Sequence, residues 1–213
     1  MHSDETRPAS EFWDELYGER EQVWSGKPNP ALVSEIETVA PGRALDLGCG
    51  EGADALWLAQ RGWTVTGVDI SGVALERAAR HAQEAGLEDR TVWLHRDLAE
   101  WQPDAEYDLV SAQFLHSPLE FPRERVLLTA ARAVAPGGLL LVVGHADFPP
   151  WAQHAHEGER AQPPTANELA LALGLPEDQW TVEARTSEGR EATGPDGQKA
   201  ILTDAILKAR RTA

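Results

Sequence analysis

Short apolar runs alternate with segments of helical period through the middle of the chain. Residues 43–47, 64–68, 91–95, 107–112 and 139–143 are compact stretches of apolar and β-branched side chains, read as strands. Between them, residues 53–60, a segment capped by Ser71 that runs through Leu75, Ala78, Ala79 and Ala82 to Gly86, and residues 122–134 are read as helices. Strands joined by such helices make right-handed crossovers, which predicts a mostly parallel sheet. Pro136-Gly137-Gly138 is read as the turn into the last of these strands.

The flanks follow other rules. Residues 11–17 carry aromatic and apolar groups at helical spacing and stop near Gly18. A turn-rich loop, Trp24-Ser25-Gly26-Lys27-Pro28-Asn29-Pro30, precedes a second short helix over 31–39. Residues 1–40 are therefore expected to form a helical lid belonging to the same domain as 41–213. After the fifth strand, residues 146–164 are rich in Pro, His and charge and read as a long loop over one end of the sheet. A helix over 167–173 leads to strands at 180–185 and 200–209. The residues between those strands, 187–197, have no helical period, so the two strands are expected to pair antiparallel.

Composition narrows the function classes. The 213 residues suit one α/β domain. With 35 Asp and Glu against 19 Lys and Arg, the net charge of −16 argues against a protein that wraps a phosphate backbone. The single Cys permits no internal disulfide, and no Cys/His spacing suggests zinc, so no metal is expected. No basic-then-apolar start and no run of 18 apolar residues is present, so neither export nor a membrane is expected and the default is cytoplasmic.

Candidate chemistry concentrates at Ala44-Leu45-Asp46-Leu47-Gly48-Cys49-Gly50-Glu51-Gly52. A strand ending in closely spaced glycines lets a ligand approach the backbone, and the following helix offers free N–H groups. Read as Gly48-x-Gly50-x-x-Ala53, the pattern also fits a dinucleotide fingerprint, and Asp69 at the end of the second strand suits a ribose diol in either reading. The plain alternative is a tight strand-to-helix turn. Asp46 weighs against a pyrophosphate, because a carboxylate inside an apolar strand needs donors, such as an ammonium group or the loop's own N–H groups. Asp97, after the third strand, is placed to accept from an exocyclic amine such as that of adenine.

Taken in order and spacing, Leu45-Asp46-Leu47-Gly48-Cys49-Gly50-Glu51-Gly52, Val68-Asp69-Ile70-Ser71, His95-Arg96-Asp97-Leu98, Tyr107-Asp108-Leu109-Val110 and Pro136-Gly137-Gly138 resemble the class I S-adenosylmethionine-dependent methyltransferases over residues 11–211. The resemblance implies a Rossmann-like α/β fold: a seven-stranded, mostly parallel sheet with an antiparallel last strand and helices on both faces. It implies S-adenosyl-L-methionine as cofactor and S-adenosyl-L-homocysteine as product. By position, Asp46, Gly48, Cys49 and Gly50 would hold the methionine end. Asp69 would bind the ribose hydroxyls, Ile70 would pack on the adenine, and Asp97 and Leu98 would meet its edge. Gln113 would lie near the transferred methyl. Phe12-Trp13-Asp14-x-x-Tyr17 and Trp24-Ser25-Gly26-Lys27-Pro28-Asn29 are similar to the small-molecule branch that includes tellurite-resistance, thiopurine and thiol or halide methyltransferases. Tyr17 and Trp24 are candidates to close over the cofactor, an aromatic face toward the sulfonium contributing ~0.5–2 kcal/mol.

The expected reaction is in-line displacement of a methyl group onto a small-molecule S, Se, Te, halide, O or N nucleophile. Positioning supplies most of the effect, ~7 kcal/mol or more. Soft nucleophiles need no base; a phenol, alcohol or amine would benefit from one. His116 is the candidate base or substrate contact, and His145 is a weaker one; the plain alternative is a histidine fixing its loop. His154, His156 and Glu157 are read as a solvated loop and not as ligands. Nucleic acid is not expected as a partner, and oligomeric state is unread. Remaining alternatives are a protein or RNA methyltransferase of the same fold, a NAD-binding oxidoreductase, and an inactive cofactor-binding module.

Overall fold

In a computed structural model of the chain, the described residues are 7–147, 163–187, 189–193 and 197–213. Its strands are β1 (Arg43–Leu47), β2 (Thr64–Asp69), β3 (Thr91–His95), β4 (Tyr107–Gln113), β5 (Val134–His145), β6 (Trp180–Thr186), β7 (Arg190–Thr193), β8 (Lys199–Leu202) and β9 (Asp204–Arg211). The helices are α1 (Ala9–Gly18), α2 (Pro30–Ile36), α3 (Ala53–Gln60), α4 (Gly72–Glu84), α5 (Arg123–Arg132) and α6 (Ala166–Leu173). Seven strands form one sheet in the order β3-β2-β1-β4-β5-β9-β6, and β7 and β8 form a separate ribbon. All pairs from β3 through β5 are parallel. The last strand, β9, runs antiparallel to both neighbours.

Two expectations are corrected. The stretch 200–209 is not one strand: it breaks at Thr203, giving β8 to the ribbon and β9 to the main sheet. Pro136-Gly137-Gly138 does not precede β5 but lies inside it. Val134 pairs with Tyr107 and Leu139 with Leu109, so the register shifts and the intervening residues bulge. Residues 148–162, with His154, His156 and Glu157, lie outside the described residues.

The period-2 pattern of the strands divides the core between two faces. Leu45 and Leu47 of β1, Leu140 and Val142 of β5 and Leu207 of β9 pack with Val126 and Leu127 of α5 and Leu169 and Leu173 of α6. Ala44, Leu139, Leu141, Val143 and Ile206 face the other way, against Leu32 and Ile36 of α2 and Ala55, Trp57 and Leu58 of α3. Each fully buried leucine contributes about 1.5–3 kcal/mol. Because β1 sits at the centre and the chain leaves it toward β2 and later returns to β4, the loops after β1 and β4 diverge and open a crevice at their carboxyl ends. Among the described residues, no helix is long and apolar enough to cross a membrane.

Candidate active site

The crevice begins at the glycine loop. Gly48, Gly50 and Gly52 have φ of +67°, +52° and +85°, a region that side chains rarely adopt. A Cβ on Gly50 would meet the Tyr17 hydroxyl at 2.8 Å, so Tyr17 presses on bare backbone there. The Gly48 and Cys49 N–H groups donate to the Val68 carbonyl (2.8 and 3.1 Å), which ties the loop to β2. The Gly50 N–H donates to Asp69 Oδ2 and the Ser71 N–H to Oδ1, at 2.8 and 2.9 Å. A carboxylate has about four acceptor sites, so Asp69 keeps capacity for further donors. Gly52 at the N-cap of α3 supplies no side-chain acceptor, leaving the first-turn N–H groups without a side-chain cap.

Three carboxyl groups crowd this loop. Asp46 is 2% exposed and its Oδ2 has no hydrogen-bond partner. Burial, then the charges of Asp54 and Asp69, push its carboxyl well above the usual range. Asp54 is pushed up to about 6 by burial, opposed by the Asn29 N–H that donates to it at 2.6 Å. Asp69 is also raised, by burial, against the N–H groups that hold it. Crowded buried carboxyls with one orphaned oxygen fit a cationic ligand and do not fit a pyrophosphate. The same surroundings raise the Cys49 thiol through burial and the charges of Asp69 and Asp46, so it is no nucleophile.

The segment before β1 packs on the loop. Trp24 Nε1 donates to the Tyr17 hydroxyl at 2.8 Å. Tyr17 is buried, whereas Trp24 remains 54% exposed. Burial, then Asp69, raises the Tyr17 phenol above its ordinary value. Glu51 of the glycine loop accepts from the Val23 and Trp24 N–H groups, both at 3.1 Å. It also pairs with Arg77 of α4 at 2.8 Å. Arg77 in turn donates to the Tyr17 and Arg20 carbonyls, both at 2.6 Å. Asp14 accepts from Ser71 Oγ at 2.6 Å, and Ser71 caps α4 as expected.

Across the crevice, the loop after β4 reaches from the glycines to β5. Gln113 accepts from Asn29 Nδ2 at 2.7 Å and donates to Ser111 at 2.9 Å. Phe114 has a φ of +51°, strained backbone for an aromatic residue. Leu115 lies over Gly48, where a Cβ would meet it at 2.7 Å. The His116 and His145 rings stack at 5.8 Å, and Phe114 lies 4.6 Å from His145. Both imidazoles are held below their ordinary value. His116 is lowered to about 4 by burial, Arg123 and His145. His145 is lowered by burial, against Asp204.

The predicted residues therefore fall into three places. Tyr17, Trp24, Asp46, Gly48, Cys49, Gly50 and Asp69 meet at the glycine loop. Gln113, His116 and His145 line the side formed by β4 and β5. Ile70, Asp97 and Leu98 follow β2 and β3: Ile70 is half-buried with its carbonyl accepting from His95 Nε2, Leu98 is buried, and exposed Asp97 accepts from the Ala99 N–H at 2.8 Å. Asn29, Glu51, Asp54, Arg77 and Arg123 were missed. Asn29-Pro30, a capping residue before a proline, was the only local signal. An open surface cleft of about 390 Å³, lined by Gln102, Glu106, Thr129 and Arg132 among others, lies at the amino-terminal edge of β4, the wrong end of the sheet for this chemistry. Among the described residues no cluster of three His, Cys, Asp or Glu could hold a metal.

Known proteins agree with this geometry. Residues 44–138 match a family model described as a methyltransferase domain. The chain is 38% identical over 137 residues to the 2-heptyl-1-hydroxyquinolin-4(1H)-one methyltransferase of Mycobacteroides abscessus, covering 60% of this chain and 58% of that protein. The chain spans about half the length of the curated relatives it matches. A solved structure from work on conversion of a disulfide bond into a thioacetal group during echinomycin biosynthesis is 28% identical, with a TM-score of 0.70 over 95% of this chain and 93% of that one. TehB from Haemophilus influenzae shares the fold at 17% identity, with a TM-score of 0.65 over 94% of this chain and 66% of that one.

Proposed function

We propose that this chain, a member of the class I S-adenosylmethionine-dependent methyltransferases, transfers a methyl group to a small-molecule acceptor at the carboxyl ends of β1, β4 and β5. The observation that carries this reading is the buried, unpartnered Asp46 Oδ2 beside Asp54 and Asp69 at a loop of left-handed glycines. When bound, S-adenosylmethionine supplies an electrophilic methyl on a sulfonium. Asp46 and the glycine loop receive the cationic methionine end, and Asp69 takes the ribose hydroxyls with its remaining acceptor sites. The segment before β1 acts as a lid of the same domain, with Tyr17 and Trp24 excluding water from the loop.

His116 faces the acceptor. Its imidazole is neutral at pH 7 because burial and Arg123 hold it near 4. That makes it a weak proton acceptor, suited to contacting an acidic acceptor and poorly suited to deprotonating an alcohol. The small-molecule class is supported by the quinolone methyltransferase relative. A NAD-binding oxidoreductase is disfavoured by the crowded carboxyls, which would repel a pyrophosphate.

Calorimetric titration with S-adenosylhomocysteine and with NAD tests the cofactor. S-adenosylhomocysteine is expected to bind at micromolar concentration and NAD not at all; tighter NAD binding would overturn the reading. A screen of thiols, halides, chalcogen oxyanions, phenols and acids for methylated products by mass spectrometry then identifies the acceptor.

A further inference from the structure

The side of the crevice formed by β4 and β5 contains a guanidinium with no carboxylate. Arg123, the first residue of α5, is mostly buried, and its Nε has no hydrogen-bond partner. Asp204, the buried carboxylate of this corner, is already taken: Arg190 holds it through two contacts, at 2.8 and 3.1 Å. Glu124, the carboxylate acting on Arg123, is its exposed chain neighbour and forms no ion pair with it among the described residues. An uncompensated cation in partial burial is costly, and an anionic ligand would offset that cost.

The groups beside Arg123 are of the same kind. His116 Nε2 and His145 Nδ1 are also buried without partners. A Cβ on Gly144 would lie 3.0 Å from His116 Nε2 and 3.3 Å from Arg123 Nη2, so both groups converge over the bare backbone of β5. Pro122 gives α5 no side-chain cap, so the first-turn N–H groups beside Arg123 have no side-chain acceptor. Leu115, the neighbour of His116, touches Gly48, which puts this corner next to the glycine loop.

We infer that Arg123, with His116 and His145, forms the subsite for an anionic group of the acceptor, so that the substrates are small molecules carrying a carboxylate or another ionised oxygen or sulfur acid. Arg123 pairs with the anion through its planar fork, and neutral His116 donates from Nε2. The weak basicity of His116 is consistent with this, since an acceptor bound as its anion leaves no proton to remove.

The inference rests on the methyltransferase reading, and two separate ligands distinguish their failures. Ligand-observed NMR with benzoate, and with benzamide as its neutral counterpart, tests the anion site. Calorimetry with S-adenosylhomocysteine tests the cofactor site independently. Benzoate is expected to bind the wild type at least tenfold more tightly than benzamide. Arg123→Gln is expected to weaken benzoate at least tenfold, to leave the S-adenosylhomocysteine affinity within twofold, and to keep or raise the melting temperature. Arg123→Lys, which retains charge without the fork, is expected to fall between the two and serves if Arg123→Gln does not fold. Equal binding of benzoate and benzamide, no benzoate binding to the wild type, or unchanged benzoate affinity in the variants would overturn the anion site. So would a melting temperature that drops by several degrees in both variants, because that marks Arg123 as a structural ion. Loss of S-adenosylhomocysteine binding in the wild type would overturn the cofactor reading alone.

Discussion

The two walls of the crevice carry opposite surpluses. After β1, Asp46, Asp54 and Asp69 crowd together with no Lys or Arg ion-paired to them among the described residues, and the nearby Arg77 is spent on Glu51. After β4 and β5, Arg123, His116 and His145 are gathered, and the one buried carboxylate of this corner among the described residues, Asp204, is spent on Arg190. No ion pair joins the two walls among the described residues. The difference is what the two proposals share: a cationic ligand would suit the glycine side and an anionic one the other. The repulsion among the three carboxyls and the unpaired Arg123 guanidinium are each a cost in stability.

Glu51 and Arg77 tie the acidic wall to the segment before β1, and breaking that pair is expected to have the largest effect. Arg77→Met leaves Glu51, 7% exposed, without its countercharge, at a cost of about 3–5 kcal/mol in urea unfolding. A loss below about 1 kcal/mol would mean that the Val23 and Trp24 N–H groups satisfy Glu51 unaided.

Next in size, Asp69→Ala should weaken S-adenosylhomocysteine by about 100-fold, roughly 3 kcal/mol. His116→Ala, on the opposite wall, should leave that affinity within twofold and slow methyl transfer by about tenfold. Equal cofactor affinity in Asp69→Ala would remove the ribose assignment and the contrast with it.

The walls also respond oppositely to pH. Asp54, raised to about 6, keeps its proton in the fold where the unfolded chain has lost it. Its contribution to stability is therefore full below the ordinary carboxyl value near 3.8 and is lost as pH rises through about 6. His116, lowered to about 4, stays neutral in the fold where the unfolded chain takes up a proton. Its contribution is present above 6.5 and is lost as pH falls through about 4. Asp54→Asn should thus be more stable than the wild type near pH 7, by roughly 1–3 kcal/mol, and equal to it near pH 4. Thermal melts across pH 4–8 read the difference; a gain that persists at pH 4 would assign it to packing.

The smallest effect expected is that of Tyr17→Phe. It removes the acceptor of the Trp24 indole, about 1 kcal/mol, and should shift cofactor affinity less than about tenfold. The change in Trp24 fluorescence on ligand addition reports whether the lid still closes.

Much of the fold was legible because its signals are local. The strands of β1 and β3 and the helix of α3 fell at the positions read from periodicity, and Ser71 caps α4 through its own neighbour Ala74. The break at Thr203 was not legible. Both sides of it read as β-forming, and only the docking of β9 between β5 and β6 separates them. In the crevice, Asp46, Asp69 and the glycines were marked by unusual residue types at strand ends. Glu51, Arg77 and Arg123 were not, because charged residues on a loop and on helices read as solvated until partners bury them.

What the sequence determined by itself was the alternation of strands and helices, the glycine turn and the carboxylates at strand ends, since these depend on residues within a few positions of one another. Tertiary structure alone decided which charges are paired. Arg77 meets Glu51 from 26 residues away, Asn29 meets Gln113 from 84, and Arg190 takes Asp204 across the ribbon. Only after those pairings does Arg123 stand without a carboxylate, because a charge's partner is set by proximity in space and by shared loss of water, neither of which is written in local order.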